Sequence, residues 1–421
     1  MSEITRRGLL ARTAAVPALL SAAPGTAQAG GEDGFWTEIA AEYEVPREVI
    51  QLENGNWGAM PRPVQAAYLE TVARVNRDTS YYARRGMGQD LANARARLAE
   101  TLGVPDDEIA FTRNATEALK VLIGGYNRLT PGDAVLYADL DYDSMQDSMK
   151  RLALREGAEA VRIALPEPAT RSALIDAYAE AFARHPRIRL ALLTHVSHRT
   201  GLALPVREIV ALARERDIDV IVDAAHSWRQ LDFSLKDLDC DFVGLNGHKW
   251  LTAPLGVGLL HIRKSALPRI DHDLATPPDG PDAIAERVHT GTLNAAAFLS
   301  TGAALDFETR LGLQRKSARL RALRDRWVSQ TRGIANVEIL TPEEPGLCGA
   351  ITSFRLAGRV SMADNELIAR RLLERHRIFT VARDGVDRGA CVRVTPGLFN
   401  TMEEMDALVA AVTDIASSGA G

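Results

Sequence analysis

A chain of 421 residues, 46% apolar and 25% charged, can bury a large core in two or three domain-sized units and has the composition of a folded globular protein rather than a disordered or fibrous one. Its net charge of −5 provides no basic excess of the kind that binds nucleic acid or an anionic membrane surface. Its three cysteines, Cys240, Cys348 and Cys391, are odd in number and widely spaced, so neither a disulfide framework nor a metal-ligand pair is expected.

In chain order, Thr5-Arg6-Arg7-Gly8-Leu9-Leu10 opens with paired arginines. An apolar stretch from Thr13 to Ala23 follows, interrupted by Pro17, and Ala27-Gln28-Ala29 supplies small residues for a signal peptidase. Residues 1–29 therefore read as a twin-arginine (Tat) export signal. The apolar run is well short of the roughly 20 residues a membrane-spanning helix needs, so no stable membrane insertion is expected. The protein would be periplasmic or extracellular, and cytoplasmic only if the signal is vestigial. Residues 30–64 form a lead-in segment with loop signals at Glu53-Asn54-Gly55-Asn56-Trp57-Gly58, Pro61 and Pro63. A helix is expected over 89–102, with Leu91, Ala94, Leu98 and Leu102 on one face and Gly103 as its stop.

Short apolar runs at 134–137, 190–193, 220–222, 242–245 and 257–261 then alternate with amphipathic stretches at 115–123, 172–183 and 206–216. Runs that are continuous rather than alternating mark strands buried on both faces, hence an α/β fold with a mostly parallel sheet between helices, here a large domain over 65–304. From 305 the pattern changes: a long arginine-rich helix over 305–332, strand-like 350–356, a helix at 365–375, strand-like 390–395 and a helix at 402–416. This reads as a smaller α+β domain over 305–421.

In parallel sheets ligands sit beyond the carboxyl ends of the strands, and four such ends carry unusual residues. Asn114-Ala115-Thr116-Glu117 starts a helix, where unpaired N–H groups and the positive end of the dipole suit a phosphate. The same residues also read as a plain capping box, with Asn114 as N-cap and Glu117 three residues on. Asp223 closes the run Val220-Ile221-Val222 and needs a cation or a strong donor, such as a protonated pyridine nitrogen, although a structural aspartate reads equally well. Lys249, one of only six lysines, follows the polar turn Asn246-Gly247-His248 and precedes Trp250-Leu251. A lysine held there can have its pKa lowered, as imine formation with an aldehyde requires, and Asn246 and His248 can donate to a phosphate. Arg393, in Val392-Arg393-Val394, wants an anion, either a substrate carboxylate or a structural partner.

In order and spacing these elements resemble fold type I pyridoxal-5′-phosphate (PLP) enzymes of the class V aminotransferase superfamily, in particular its isopenicillin N epimerase-like branch. The resemblance runs from about Gln51 to Leu408. It rests on Asn114-Ala115-Thr116, Val222-Asp223-Ala224-Ala225-His226 and Asn246-Gly247-His248-Lys249-Trp250-Leu251. Thr194-His195-Val196-Ser197-His198-Arg199-Thr200-Gly201, Thr290-Gly291-Thr292-Leu293-Asn294, and Val392-Arg393 with Phe399-Asn400-Thr401 support it. The resemblance implies that Lys249 binds the cofactor aldehyde as an imine and that Asp223 pairs with the pyridine nitrogen. It implies that Asn114, Ala115, Thr116, Asn246 and His248 hold the phosphate, with His226 beside it, and that Tyr142 stacks on the ring. Gly291 and Thr292 would reach the cofactor phosphate of a neighbouring subunit, which implies a homodimer. Arg393, together with Asn56, would hold the substrate.

Two departures from the family pattern matter. His198 stands where many relatives have Asn, and the loop from Phe379 to Ala390 lacks the nucleophilic cysteine of desulfurases; Cys391 lies two residues before Arg393, at the wrong place. The expected chemistry begins with a substrate amine displacing Lys249, which then serves as base for the α-proton. Transamination, epimerisation, elimination and decarboxylation all continue from that point, and epimerisation needs a second acid, for which Tyr142 is the nominee. With export, the expected substrate is an amino acid or an amino-acid residue of a peptide natural product. The contrasting expectation is a catalytically silent protein of the same fold that only binds the cofactor.

Overall fold

In the computed structural model of the chain, residues 31–277 and 279–417 are described; the export signal expected over 1–29 lies outside them. The centre is a seven-stranded sheet in the order Ile109–Thr112, Gly258–Ile262, Phe242–Asn246, Asp219–Asp223, Ile188–Thr194, Ala134–Ala138, Glu159–Ile163. Every neighbour pair is parallel except the two made by Gly258–Ile262, which runs against both of its partners. The expected mostly parallel sheet is thus present.

Its strands read as unbroken apolar runs because alternate residues serve two cores. Val135, Leu190, Leu192 and Ile221 pack with the helices Ala115–Gly125 and Asp143–Glu156 on one face. Leu136, Ala191, Leu193, Val220 and Val222 pack with Leu174, Tyr178 and Ile209 on the other. At roughly 25 cal/mol for each Å² of apolar surface removed from water, two such layers are the main favourable term for this part of the chain.

A second sheet, antiparallel throughout, has the order Val381–Arg383, Cys391–Val394, Thr352–Leu356, Val337–Ile339. It packs on the helices Leu313–Thr331, Met362–His376 and Met402–Ser417 around Trp327, Phe354, Leu372 and Leu408. Leu52, from the expected lead-in, is buried in this same cluster. The lead-in is a strap. Ile50–Gln51 pairs in parallel with Ile378–Phe379, Leu52 and Thr395 bond through their backbones, and the N–H of Gly58 donates to the carbonyl of His248 at 2.9 Å. The strap thereby ties the small sheet to the turn that carries Lys249.

Several local expectations need correction. The helical pattern over 305–332 is two helices, Thr301–Leu311 and Leu313–Thr331, broken where Gly312 adopts φ +74°. Helix Arg62–Arg85 runs across the boundary expected at 64. Helix Asp143–Glu156 and the edge strand Glu159–Ile163 were not anticipated. The helix has Met145, Met149, Leu152 and Ala153 at helical spacing in an otherwise polar stretch, a period that was legible in the sequence, whereas the strand has a single buried position and so shows no clear period.

Candidate active site

The carboxyl ends of the central parallel strands open into a cavity of about 320 Å³. Asn56, Asn114, Ala115, Thr116, Tyr142, Asp223, His226, Asn246, His248, Lys249 and Arg393 all line it, so eleven of the thirteen residues nominated from the sequence meet at one place. Gly291 and Thr292 do not; both are exposed and away from this cavity.

The amine of Lys249 lies 2.8 Å from Nε2 of His226. Burial pulls its pKa down to about 7, and the charge of Arg393 adds to the effect while Asp223 and Glu53 oppose it. Burial also holds His226 well below the usual imidazole range, so the ring is neutral. A neutral ring that accepts a hydrogen bond from Lys249 on Nε2 carries its own proton on Nδ1. That atom is buried and has no hydrogen-bond partner among the described residues. Asp223, at the end of its strand, accepts the N–H of Ala225 at 2.9 Å, and burial raises its pKa. A carboxylate in that position gains from a cationic partner.

The N-cap of the helix Ala115–Gly125 is Asn114, whose side chain accepts from the N–H of Glu117 at 2.9 Å. The carboxylate of Glu117 reaches back to the N–H of Arg113 rather than to that of Asn114, so the expected capping box is offset by one residue. Asn246 accepts the N–H of Ala115 at 2.8 Å, so its oxygen acts on the cradle by fixing Ala115. The N–H and hydroxyl of Thr116 have no hydrogen-bond partner among the described residues and remain for an anion. Gly258 lets the neighbouring strand pass directly behind; a Cβ there would lie 2.5 Å from the backbone of Asn114. His248 bonds the carbonyl of Val257 through Nδ1 at 3.0 Å, which leaves Nε2 free, and burial lowers its pKa to about 4. The ring of Tyr142 meets that of His198 edge-on at 5.2 Å.

Arg393 differs most from its expected role. Its Nη2 donates to both oxygens of Glu53, at 2.5 and 2.7 Å, and its Nη1 donates to the carbonyl of His198 at 2.7 Å. The carboxylate it wants is already supplied by the strap, and Gly55 packs so closely on the guanidinium that a Cβ would lie 2.6 Å away. The less committed cation is Arg383. It lines the same cavity, shares Glu53 with Arg393 through an ion pair at 3.6 Å, and makes no hydrogen bond among the described residues, its Nε included. Neither Glu53 nor Arg383 was singled out from the sequence. Both sit in stretches that read as loop, and only their distant partners give them meaning. Cys240, Cys348 and Cys391 are buried and none lines the cavity.

The aminotransferase class V family model matches residues 61–408. The chain belongs to the class V aminotransferase family. It is 31% identical to an isopenicillin N epimerase of Streptomyces clavuligerus over 90% of this chain and 97% of that one, and 30% identical to the Amycolatopsis lactamdurans isopenicillin N epimerase over 90% and 98%. Among solved structures, the Escherichia coli cysteine desulfurase CsdA superposes with a TM-score of 0.76 at 22% identity, covering 90% of this chain and 98% of that chain. A C-DES mutant with glycine covalently linked to its PLP cofactor superposes with a TM-score of 0.75 at 23% identity, covering 87% and 97%.

The family is PLP-dependent, and the residues present fit that cofactor. The free N–H and hydroxyl of Thr116 at a helix start would suit its phosphate, the buried carboxylate of Asp223 a cationic ring nitrogen, the unpartnered Nδ1 of His226 another of its polar atoms, and the amine of Lys249, near neutrality, its aldehyde. When bound, PLP supplies that aldehyde and an electron-accepting ring to the substrate's Cα. The protein's part is positional and protonic. Asp223 would keep a cation at the end of its strand, Thr116 would hold a phosphate together with His248 on a helix start that Asn246 fixes through Ala115, and Lys249 could alternate between amine and ammonium at a cost kept small by its lowered pKa.

Proposed function

We propose that this PLP-dependent enzyme acts on an amino acid, or on an amino-acid residue borne by a peptide or other small molecule, by transferring the α-proton through Lys249. One observation carries the reading: Lys249, an amine poised near neutrality, and Arg383, a guanidinium held among the described residues only by a 3.6 Å ion pair with Glu53, face the same cavity. Together they match the amine and carboxylate of an α-amino acid. A cysteine nucleophile of the desulfurase kind has no support, because the thiol of Cys391 is buried against the carbonyl of Arg199 and burial lifts its pKa to about 11.

Epimerisation is the second reading. The Tyr142–His198 pair places a hydroxyl and a neutral imidazole in the same cavity as Lys249, which offers a second proton-transfer group. The experiment is incubation of the holoenzyme in D₂O with free amino acids and with amino-acid-bearing peptides, read by NMR and mass spectrometry. Deuterium at Cα, lost in Lys249→Ala, supports the first reading, and deuterium with inversion supports the second. No exchange on any member of the panel, or exchange that survives Lys249→Ala, removes both.

The export reading stands on Arg6-Arg7 and Ala27-Gln28-Ala29. Cell fractionation with N-terminal sequencing tests it. A processed chain starting at Gly30 outside the cytoplasm supports export, and an intact Met1 in the cytoplasm overturns it.

A further inference from the structure

Arg199 is 1% exposed, yet its guanidinium satisfies four acceptors on two different layers of the fold. Nη1 donates to the carbonyls of Asp139 at 2.5 Å and Asp141 at 2.6 Å, and Nη2 pairs with the carboxylate of Asp143, so three contacts wrap the turn that presents Tyr142. Nε donates to the carbonyl of Asp384 at 2.7 Å, in the small sheet's loop immediately after Arg383. The backbone of Arg199 is held as well, its carbonyl accepting from the hydroxyl of Ser353 at 2.5 Å. Gly385, at φ +79°, completes the seat: a Cβ there would lie 2.4 Å from Nη2. Burying a guanidinium is costly unless each donor finds an acceptor. Here the acceptors are three main-chain carbonyls and one carboxylate on two sides of the cavity, and the two turns they belong to carry the aromatic ring of Tyr142 and the guanidinium of Arg383.

We propose that Arg199 is a positioning residue that locks the Tyr142 turn to the Arg383 turn and thereby sets how well the site recognises a substrate carboxylate. A planar fork can bind the two turns at once because its donors diverge in fixed directions; an ammonium of the same charge cannot hold all four acceptors. Loosening the fork lets Arg383 swing away from the cavity while Lys249, on another strand end, stays where it is.

The inference rests on the reading that the site takes a carboxylate-bearing amine, and the test separates the two. Aminooxyacetate and methoxyamine both attack a PLP aldehyde, and only the first carries a carboxylate. The ratio of the rates at which they bleach the holoenzyme's visible band therefore measures carboxylate recognition without knowledge of the natural substrate. In wild-type protein a ratio near that for free PLP removes the carboxylate-site reading itself. With an elevated ratio, Arg199→Lys is expected to lower it about 10-fold while the methoxyamine rate changes less than about 3-fold. Arg383→Ala is expected to lower it similarly, and the double variant to fall little below Arg383→Ala alone, since both act through one contact. An unchanged ratio in Arg199→Lys, or effects of the two substitutions that multiply, overturns the proposal. Should Arg199→Lys not fold, Asp143→Asn removes a partner whose side chain is 62% exposed and is expected to lower the ratio in the same direction; a ratio equal to wild type in that variant also overturns it.

Discussion

At the scale of single residues the site is a problem in proton affinity. An ordinary lysine at pH 7 is almost entirely ammonium, and only the amine attacks an aldehyde. Burial lowers Lys249 to about 7, with Arg393 adding to the effect. The sign is fixed: lowering the pKa enlarges the amine fraction at every pH below the ordinary lysine value. Cofactor uptake by the apoenzyme, followed by absorbance, is therefore expected to rise with pH through a midpoint near 7 and to be flat by pH 9. Replacing Arg393 by Met while keeping Glu53 takes away a repelling cation and should move the midpoint upward. A midpoint near 10 in the wild-type protein would show that the amine is not desolvated.

Legibility at this scale divided along physical lines. Lys249, Asp223 and Asn114 were readable because each follows a buried run in a position where its chemistry is costly or useful. Glu53 and Arg383 were not, because their roles come from a contact between segments more than three hundred residues apart.

Among elements, the phosphate cradle depends on how closely a strand can pass behind a helix start. Gly258 lies opposite Thr112 in the antiparallel pairing, where an alanine Cβ would lie 2.5 Å from the backbone of Asn114. Backbone cannot yield as a side-chain tip does, so Gly258→Ala is expected to displace the first turn of the helix Ala115–Gly125. Affinity for PLP should weaken about 10-fold or more, a loss near 1.4 kcal/mol, as measured by equilibrium titration. Asn114→Ala, which removes the cap alone, should cost about 1 kcal/mol of stability.

The two helices that meet at Gly312 make a different case. The ammonium of Lys316 binds the carboxylate of Glu308 and the carbonyl of Trp250, all of them buried, directly beneath the turn that carries Lys249. Removing a partner strands a buried charge, so Glu308→Leu is expected to cost about 3–5 kcal/mol in denaturant unfolding; because Glu308 also stands 3.9 Å from the buried Arg229, the double variant Glu308→Leu/Lys316→Met is expected to recover only the part due to Lys316. A double variant as unstable as the single would show that the loss lies with Arg229 rather than with Lys316. The sequence displayed this stretch as one continuous helix because a glycine inside a helical pattern is tolerated as often as it breaks one. Only the φ of +74° at Gly312 distinguishes the two.

For the molecule as a whole, several large apolar side chains stand exposed on the surface. Trp57 is 50% exposed, Leu69 61%, Tyr81 77% and Leu274 fully so. They lie in segments close in sequence to the strap, to the long helix Arg62–Arg85, and to Gly291 and Thr292, the two nominated residues that the chain's own cavity does not use. A single proposal accounts for both observations: a second copy covers this surface and receives Gly291 and Thr292 at its phosphate site, as expected from the resemblance. Closed two-fold symmetry would then make each subunit complete the other.

The consequence is measurable by complementation. Lys249→Ala removes the amine of its own site, and Thr292→Glu sets a carboxylate against the phosphate of the partner's. Each variant alone is expected to be inactive. Mixed in equal amounts and allowed to exchange subunits, half of the dimers should be mixed, and each of these holds one site with both Lys249 and an unaltered Thr292. Recovery of about a quarter of wild-type activity is therefore expected from random pairing. Full activity of Thr292→Glu alone, or no recovery in a mixture that sedimentation shows to have exchanged, would mean that each subunit works with its own residues only.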